Sequence, residues 1–169
     1  LSRGQRKELN TADTIATAVS NISFECQPGR VFSLLGPNGA GKTTTLRMLA
    51  TLVQPSSGQI EINGINTQQD PTAARQQIGF LTGSTGLYAR LTPIELIDYY
   101  ADLYGVALAD REKRKAELFE LLNMHDFLHQ RIGKLSTGMK QKVSICRTMI
   151  HDPEVVIFDE PTSGLDVIT

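Results

Sequence analysis

Short apolar runs alternate along the chain with stretches whose apolar residues recur every three or four positions. Residues 1–17 are polar and carry no convincing period. "AVSNISFEC" has the in–out alternation of a half-buried strand, and Gln27-Pro28-Gly29 marks a turn. "RVFSLL" predicts a buried strand ending at Gly36. A helix is expected over "KTTTLRMLATLV", with Leu46, Leu49, Ala50 and Val53 in register and Pro55 as its stop. "SGQIEINGIN" predicts a hairpin with Gly58 and Gly64 as turn residues, and Ile78 to Leu81 a further apolar strand.

Helical spacing then takes over. "LTPIELIDYYADLYG" opens with a capping box, Thr92 as N-cap, Pro93 at N1 and Glu95 at N3. Leu96, Ile97, Tyr100, Ala101 and Tyr104 make one face of that helix, and Gly105 can end it. "REKRKAELFELLNM" predicts a second amphipathic helix through Leu118, Leu121 and Leu122. "TGMKQKVSICRTMIH" predicts a third, ending before Asp152-Pro153. "EVVIFDE" closes the pattern as a buried strand with carboxylates at its C-terminal end.

Strand–helix alternation around "GPNGAGKT" (Gly36 to Thr43), a phosphate loop by its spacing, implies an α/β fold, a P-loop NTPase core with a parallel sheet. The expected layout is one domain over residues 1–169. Its core covers about 18–82 and 152–169, and residues 83–151 form an inserted, mostly helical subdomain.

Composition narrows the partners. A net charge of −1 gives no push towards nucleic acid or an anionic membrane. The basic run "REKRK" (Arg111 to Lys115) reads as a solvated helix face. Cys26 and Cys146 lie far apart without metal-ligand spacing, the usage of reduced thiols. No apolar run reaches the roughly 18 residues of a membrane span. The chain begins at Leu1 and stops soon after a rich motif, so both ends read as cut.

"GPNGAGKT" (Gly36 to Thr43) satisfies G-x-x-x-x-G-K-[ST] between a predicted strand and a predicted helix. Gly36, Gly39 and Gly41 permit a tight, partly left-handed backbone whose N–H groups turn inward on phosphates. Pro37, Asn38 and Ala40 complete that loop. Lys42 supplies a point charge for the β/γ-phosphates, and the Thr43 hydroxyl suits Mg²⁺. Thr44 adds a donor on the α-phosphate side.

"VVIFDE" (Val155 to Glu160) is the complement of this loop. Adjacent strand residues point to opposite sides, so its two carboxylates divide the work. Asp159 faces the metal, and Glu160 polarises the attacking water as general base. A second anion-binding feature lies in "KLSTGMKQKV", where Ser136 and Gly138 open a helix. Such a start carries roughly half a positive charge and free N–H groups. Taken alone, Ser136 could equally be a helix cap and Gly138 a relaxed first turn.

"GPNGAGKTTTL", "LSTGMKQKVSICRTMI" and "PEVVIFDEPTSGLD", in that order, resemble the ATP-binding cassette ATPases, the nucleotide-binding subunits of ABC transporters. The resemblance covers residues 18–166. It implies ATP and Mg²⁺ as cofactors, and two cassettes dimerising head to tail. The signature of one, here Ser136, Thr137, Gly138 and Met139, would close over ATP held by the other's phosphate loop. "SGLD" (Ser163, Gly164, Leu165, Asp166) resembles the D-loop along that interface, with Asp166 as a solvated turn carboxylate the plainer reading. A separate membrane-spanning permease is implied, placing the subunit at the cytoplasmic face of the cell membrane. "LSTGMKQ" and "GFLTGSTGLYARLTP" look most like export-type cassettes, including bacterial sodium-extruding ones; a small molecule or drug is the other cargo class.

The sequence departs from the family pattern in three places. Met139 stands where glutamine often follows the signature glycine. Gly83 stands where a glutamine usually follows the "IGFL" strand, leaving Ser84, Thr85 or backbone flexibility to serve that joint. No switch histidine follows "SGLD", and no aromatic precedes Phe24 to stack on adenine. His125, His129 and His151 all come before the acidic motif and read as helix-surface or interlobe residues. A chain with these bounds is therefore expected to bind nucleotide weakly and hydrolyse it little. The alternative, a soluble cassette acting on ribosomes or DNA, fits less well. Lys42 and Ser136 are 94 positions apart (136 − 42), too close for a long coiled-coil insertion. A small-molecule kinase with the same loop would have no use for "LSTGMKQ" or "SGLD".

Overall fold

The computed structural model describes residues 17–83 and 86–160. Helix α1 (Lys42–Leu49) follows the phosphate loop. A hairpin comes next, β1 (Glu61–Ile62) against β2 (Ile65–Asn66), with Ile62 opposite Ile65. Its two-residue turn places Asn63 and Gly64 at φ 48° and 76°, the left-handed pair that a tight hairpin of this hand requires. Gly58, also left-handed, lies in the bend before the hairpin.

Helix α2 (Pro71–Gln76) was not expected. The Asp70 side chain caps it by accepting from Ala73 N at 2.9 Å, and Pro71 sits at N1. Strand β3 (Ile78–Thr82) then runs parallel to β4 (Val155–Asp159), in register from Ile78↔Val155 to Thr82↔Asp159. Between them come α3 (Pro93–Leu103), α4 (Leu108–Leu121) and α5 (Thr137–Met149), with 3₁₀ turns at His125–Phe127 and Ile132–Lys134.

Two apolar clusters organise these elements. One joins α3, α4 and α5 through Leu96, Ile97, Ala101, Leu118, Val143 and Cys146. Burial pushes the Cys146 thiol up to about 12, so it behaves as a small apolar side chain, whereas Cys26 is exposed. The second cluster gathers Ala50, Ile62, Ile78 and Ile157, with Leu46 and Leu49 of α1 packed against it.

The α3 capping box forms as predicted. Glu95 N donates to Thr92 Oγ1 at 3.4 Å, and Thr92 N donates to the Glu95 carboxylate at 2.8 Å. The bond from the Thr92 backbone, followed by that from its hydroxyl, holds the Glu95 carboxyl below its ordinary pKa. Thr92→Ala is expected to lower stability by about 0.5–2 kcal/mol, read by thermal or urea denaturation; an unchanged midpoint would show the cap to be redundant.

Several expectations are corrected. "AVSNISFEC" and "RVFSLL" form no strand, and Val31 and Leu35 are 97% and 92% exposed. Phe24 does stack on Phe32 at 4.8 Å, but among the described residues no backbone ladder flanks either segment. An apolar run becomes a buried strand only when neighbours cover its faces. Helix α1 stops at Leu49 instead of running to Val53, because Thr51 turns left-handed at φ 60°. Thr51 N then bonds Met48 O and Leu52 N bonds Arg47 O, a Schellman ending without glycine.

In α4 the basic run is not a solvated face. Arg111 pairs with Asp102, and Arg114 with Asp152 and Glu117. Lys115 is buried between Asp98 (2.7 Å) and Glu112 (2.8 Å). Burial works against the Lys115 charge, but the hydrogen bonds that its ammonium donates to both carboxylates outweigh it and raise its pKa. Leu121, expected on the apolar face, points to solvent. Only Ile157 and Asp159 of β4 are buried; Val155 and Val156 are half-buried and Phe158 is exposed.

Candidate active site

Gly41 is the N-cap of α1 at φ 84°, and no side chain caps the helix, so its first-turn N–H groups open onto the loop. Space demands glycine there as well. A Cβ at Gly41 would lie 2.6 Å from Ala18 O and 2.9 Å from Val19 Cγ2. Gly39 is left-handed too, at φ 81°. The Lys42 ammonium donates to Gly36 O (2.7 Å) and Pro37 O (2.8 Å), so the lysine fastens the loop to itself. Ala40 N bonds Pro37 O across the turn that carries Asn38. Thr44 lies in the first turn of α1, next to the buried Thr45, whose hydroxyl returns to Gly41 O at 3.0 Å.

The fold brings the acidic strand end to this loop. Thr43 Oγ1 donates to Asp159 Oδ1 at 3.0 Å, across 116 positions of sequence. Asp159 is buried at the tip of β4, and its carbonyl accepts from Gly83 N at 3.3 Å. Among the described residues no three His, Cys, Asp or Glu side chains gather at a metal-binding distance. A hydroxyl and one carboxylate make a donor set suited to a hard cation that keeps waters and takes its other ligands from substrate phosphates, as Mg²⁺ does. Glu160 follows in the left-handed region at φ 52°, which for a non-glycine residue costs of order 1 kcal/mol or more. Its side chain is exposed, unlike that of Asp159.

The signature segment lies on the helical cluster. Ser136 is the N-cap of α5, with its hydroxyl accepting from Met139 N at 3.2 Å. The helix starts at Thr137, where the predicted segment begins. Ser136, Thr137 and Gly138 are exposed, and a Cβ at Gly138 would meet nothing within 4 Å. Met139 packs against the helical cluster. Beside this helix lies a groove of about 340 Å³, lined by Gly83, Leu87, Ala89, Gly133, Lys140 and Gln141 among others.

The family model described as ABC transporter matches residues 19–163. The chain belongs to the ABC transporter family. The ABC transporter ATP-binding protein NatA of Bacillus subtilis (strain 168) is 44% identical over 154 residues, 90% of this chain and 63% of NatA. The linearmycin resistance ATP-binding protein LnrL of the same organism is 36% identical over 162 residues, 96% of this chain and 52% of LnrL. The chain thus spans between half and two thirds of these curated relatives. A solved dimeric ATP-binding cassette in a post-hydrolysis state, bound to ADP and Pi, superposes with a TM-score of 0.76 at 29% identity, covering 89% of this chain and 68% of its own.

In this ABC transporter chain, Asp159 meets the predicted loop at Thr43, and the signature residues stand apart from them on the helical cluster. Ser163 to Asp166 lie outside the described residues, as do Ser84 and Thr85. Gly83, the departure from the family's glutamine, sits against the Asp159 carbonyl, so that joint remains in backbone contact with the acidic strand. Sequence reasoning missed that contact and the self-fastening of Lys42. The register of two strands and the path of a loop reveal them, and neither leaves a mark in composition. His125 is an exposed surface residue paired with Glu120 at 3.0 Å, and His129 is exposed.

Proposed function

We propose that this chain is the ATP-binding and ATP-hydrolysing part of an exporter subunit. Two copies, or two like cassettes, would act together with a separate membrane permease. The observation that carries the reading is the 3.0 Å bond between Thr43 and Asp159, which unites the phosphate loop with the acidic strand end. Residues Gly36 to Thr44 bind the triphosphate through backbone N–H groups, and Lys42 transfers its two carbonyl bonds to the β/γ-phosphates. Thr43 and Asp159 hold Mg²⁺, which when bound neutralises phosphate charge. Glu160 orients the attacking water and takes its proton as the γ-phosphate is transferred to it, giving ADP and inorganic phosphate.

The exposed Ser136–Gly138 face supports a role towards a partner's nucleotide. Its hydroxyl and first-turn N–H groups suit a γ-phosphate, with Ser163 to Asp166 along the same interface. The solved dimeric relative bound to ADP and Pi is consistent with such an assembly. The groove beside α5 offers a seat for the permease's cytoplasmic elements. No helix of the described residues is long and apolar enough to cross a membrane. A separate permease would hold the subunit at the cytoplasmic face. Resemblance to export-type cassettes and the likeness to a linearmycin resistance protein point to an exported cargo, a small molecule or Na⁺.

Ser136→Arg tests the signature role. Turnover of the full-length protein is expected to fall by 10²-fold or more, about the loss of a preorganised transition-state donor. ATP affinity measured on the monomer should stay unchanged. Weaker binding in the monomer would place Ser136 in its own chain's site and contradict the reading.

A further inference from the structure

We propose that His151 is a positioning residue for ATP hydrolysis, the pivot at which the helical cluster is fixed to the strand pair. The inference rests on the ATPase reading above. His151 lies between α5 and β4, and its ring stacks on Tyr104, the C-cap of α3, with centroids 3.7 Å apart and planes 5° from parallel. Its Nε2 lies 3.1 Å from Ile78 O, at the start of β3. A carbonyl only accepts, so Nε2 carries the proton and donates. Nδ1 is then the bare nitrogen, and it is buried with no partner. A phenyl ring would fill the same space without an orphaned polar atom. The imidazole is therefore held for its directed bond.

The neighbouring contacts make this junction tight. Gly79 follows Ile78 in β3, and a Cβ there would lie 2.9 Å from both Thr148 O and Pro153 Cγ. The last turn of α5 thus rests on β3 with no room for a methyl group. Ile78 in turn pairs with Val155, the first residue of β4. The ends of α3 and α5 and the start of β3 meet at this side chain, and β4 joins them through Ile78.

Both halves of the proposed active site are the far ends of elements anchored here. The 13 residues of α5 lead to Ser136, a lever of about 20 Å at 1.5 Å per residue. The five residues of β4 lead to Asp159. A tilt of about 5° at the junction displaces Ser136 by roughly 2 Å, and a misplacement of about 1 Å already costs up to 10²-fold in rate.

The test places spin labels at Glu61→Cys on β1 and Lys113→Cys on α4, both exposed, in the full-length protein with Cys26 and any other exposed cysteine replaced. His151→Phe keeps the stack and removes the donor; His151→Gln restores an N–H near the Nε2 position. In His151→Phe the label–label distance distribution should shift or broaden. Its kcat should fall about tenfold with the KM for ATP within about twofold, and His151→Gln should recover most of the loss. An unchanged distance distribution, with only the melting temperature lowered, overturns the inference. If His151→Phe does not fold, Tyr104→Leu removes the stack that holds the imidazole on the Ile78 carbonyl and is read by the same two outcomes. A wild-type protein that hydrolyses no ATP sinks the ATPase reading separately, and the label distances still decide the pivot.

Discussion

Lys42→Ala is expected to abolish ATP binding at millimolar nucleotide. The β/γ-phosphates lose a charged donor that reaches both of them, and hydrogen bonds to charged groups are worth about 1.5–3 kcal/mol each. The bonds from Lys42 to the Gly36 and Pro37 carbonyls, 2.7 and 2.8 Å, hold only the empty loop and are given up when nucleotide binds. A loss of about 3 kcal/mol at the phosphates weakens affinity by more than 10²-fold. Titration of a fluorescent nucleotide against the full-length variant measures this, and wild-type affinity would remove the phosphate-loop assignment.

Glu160→Gln carries the second largest effect, in the opposite pattern. The amide is nearly isosteric and leaves the strand end in place, including the left-handed backbone at position 160. Only basicity is lost, so turnover should drop by about 10²–10⁴-fold. The Thr43–Asp159 pair and the loop are untouched, so ATP should still bind, and an ATP-bound dimer should accumulate on gel filtration. Normal turnover in this variant would exclude Glu160 as the base.

What was legible in the sequence, and what was not, follows from the range of the interactions. The α3 start was readable to the residue because Thr92, Pro93 and Glu95 satisfy one another within four positions. The Asn63-Gly64 hairpin was equally local. Helix α2 carried its own signal in Asp70-Pro71, but six residues are too few to show a period. The end of α1 was unreadable because a threonine takes the left-handed position that Gly105 fills after α3. Strands were expected over 18–35 because alternation reports amphipathicity and says nothing of partners.

Long-range pairing accounts for the rest. The acids that neutralise Arg111, Arg114 and Lys115 come largely from α3 and from Asp152, so a run that reads as solvated becomes an ion-paired seam. His151 read only as a helix-surface or interlobe residue, since its acceptor is 73 positions away. At the site, spacing marked the loop, the acidic strand and the signature helix. Only the fold brings Thr43 to Asp159 while leaving Ser136 on a separate, exposed face.

That separation makes the shared site the central claim, and mixing two inactive variants tests it most directly. Lys42→Ala and Ser136→Arg proteins, each inactive alone, are combined and allowed to exchange subunits before ATPase activity is measured. In a head-to-tail dimer each mixed pair contains one intact site, the phosphate loop of the Ser136→Arg copy closed by the signature of the Lys42→Ala copy. Equal mixing should therefore restore about a quarter of wild-type activity. No recovery, with mixed dimers shown to form, would mean that each chain completes its own site and would contradict the account.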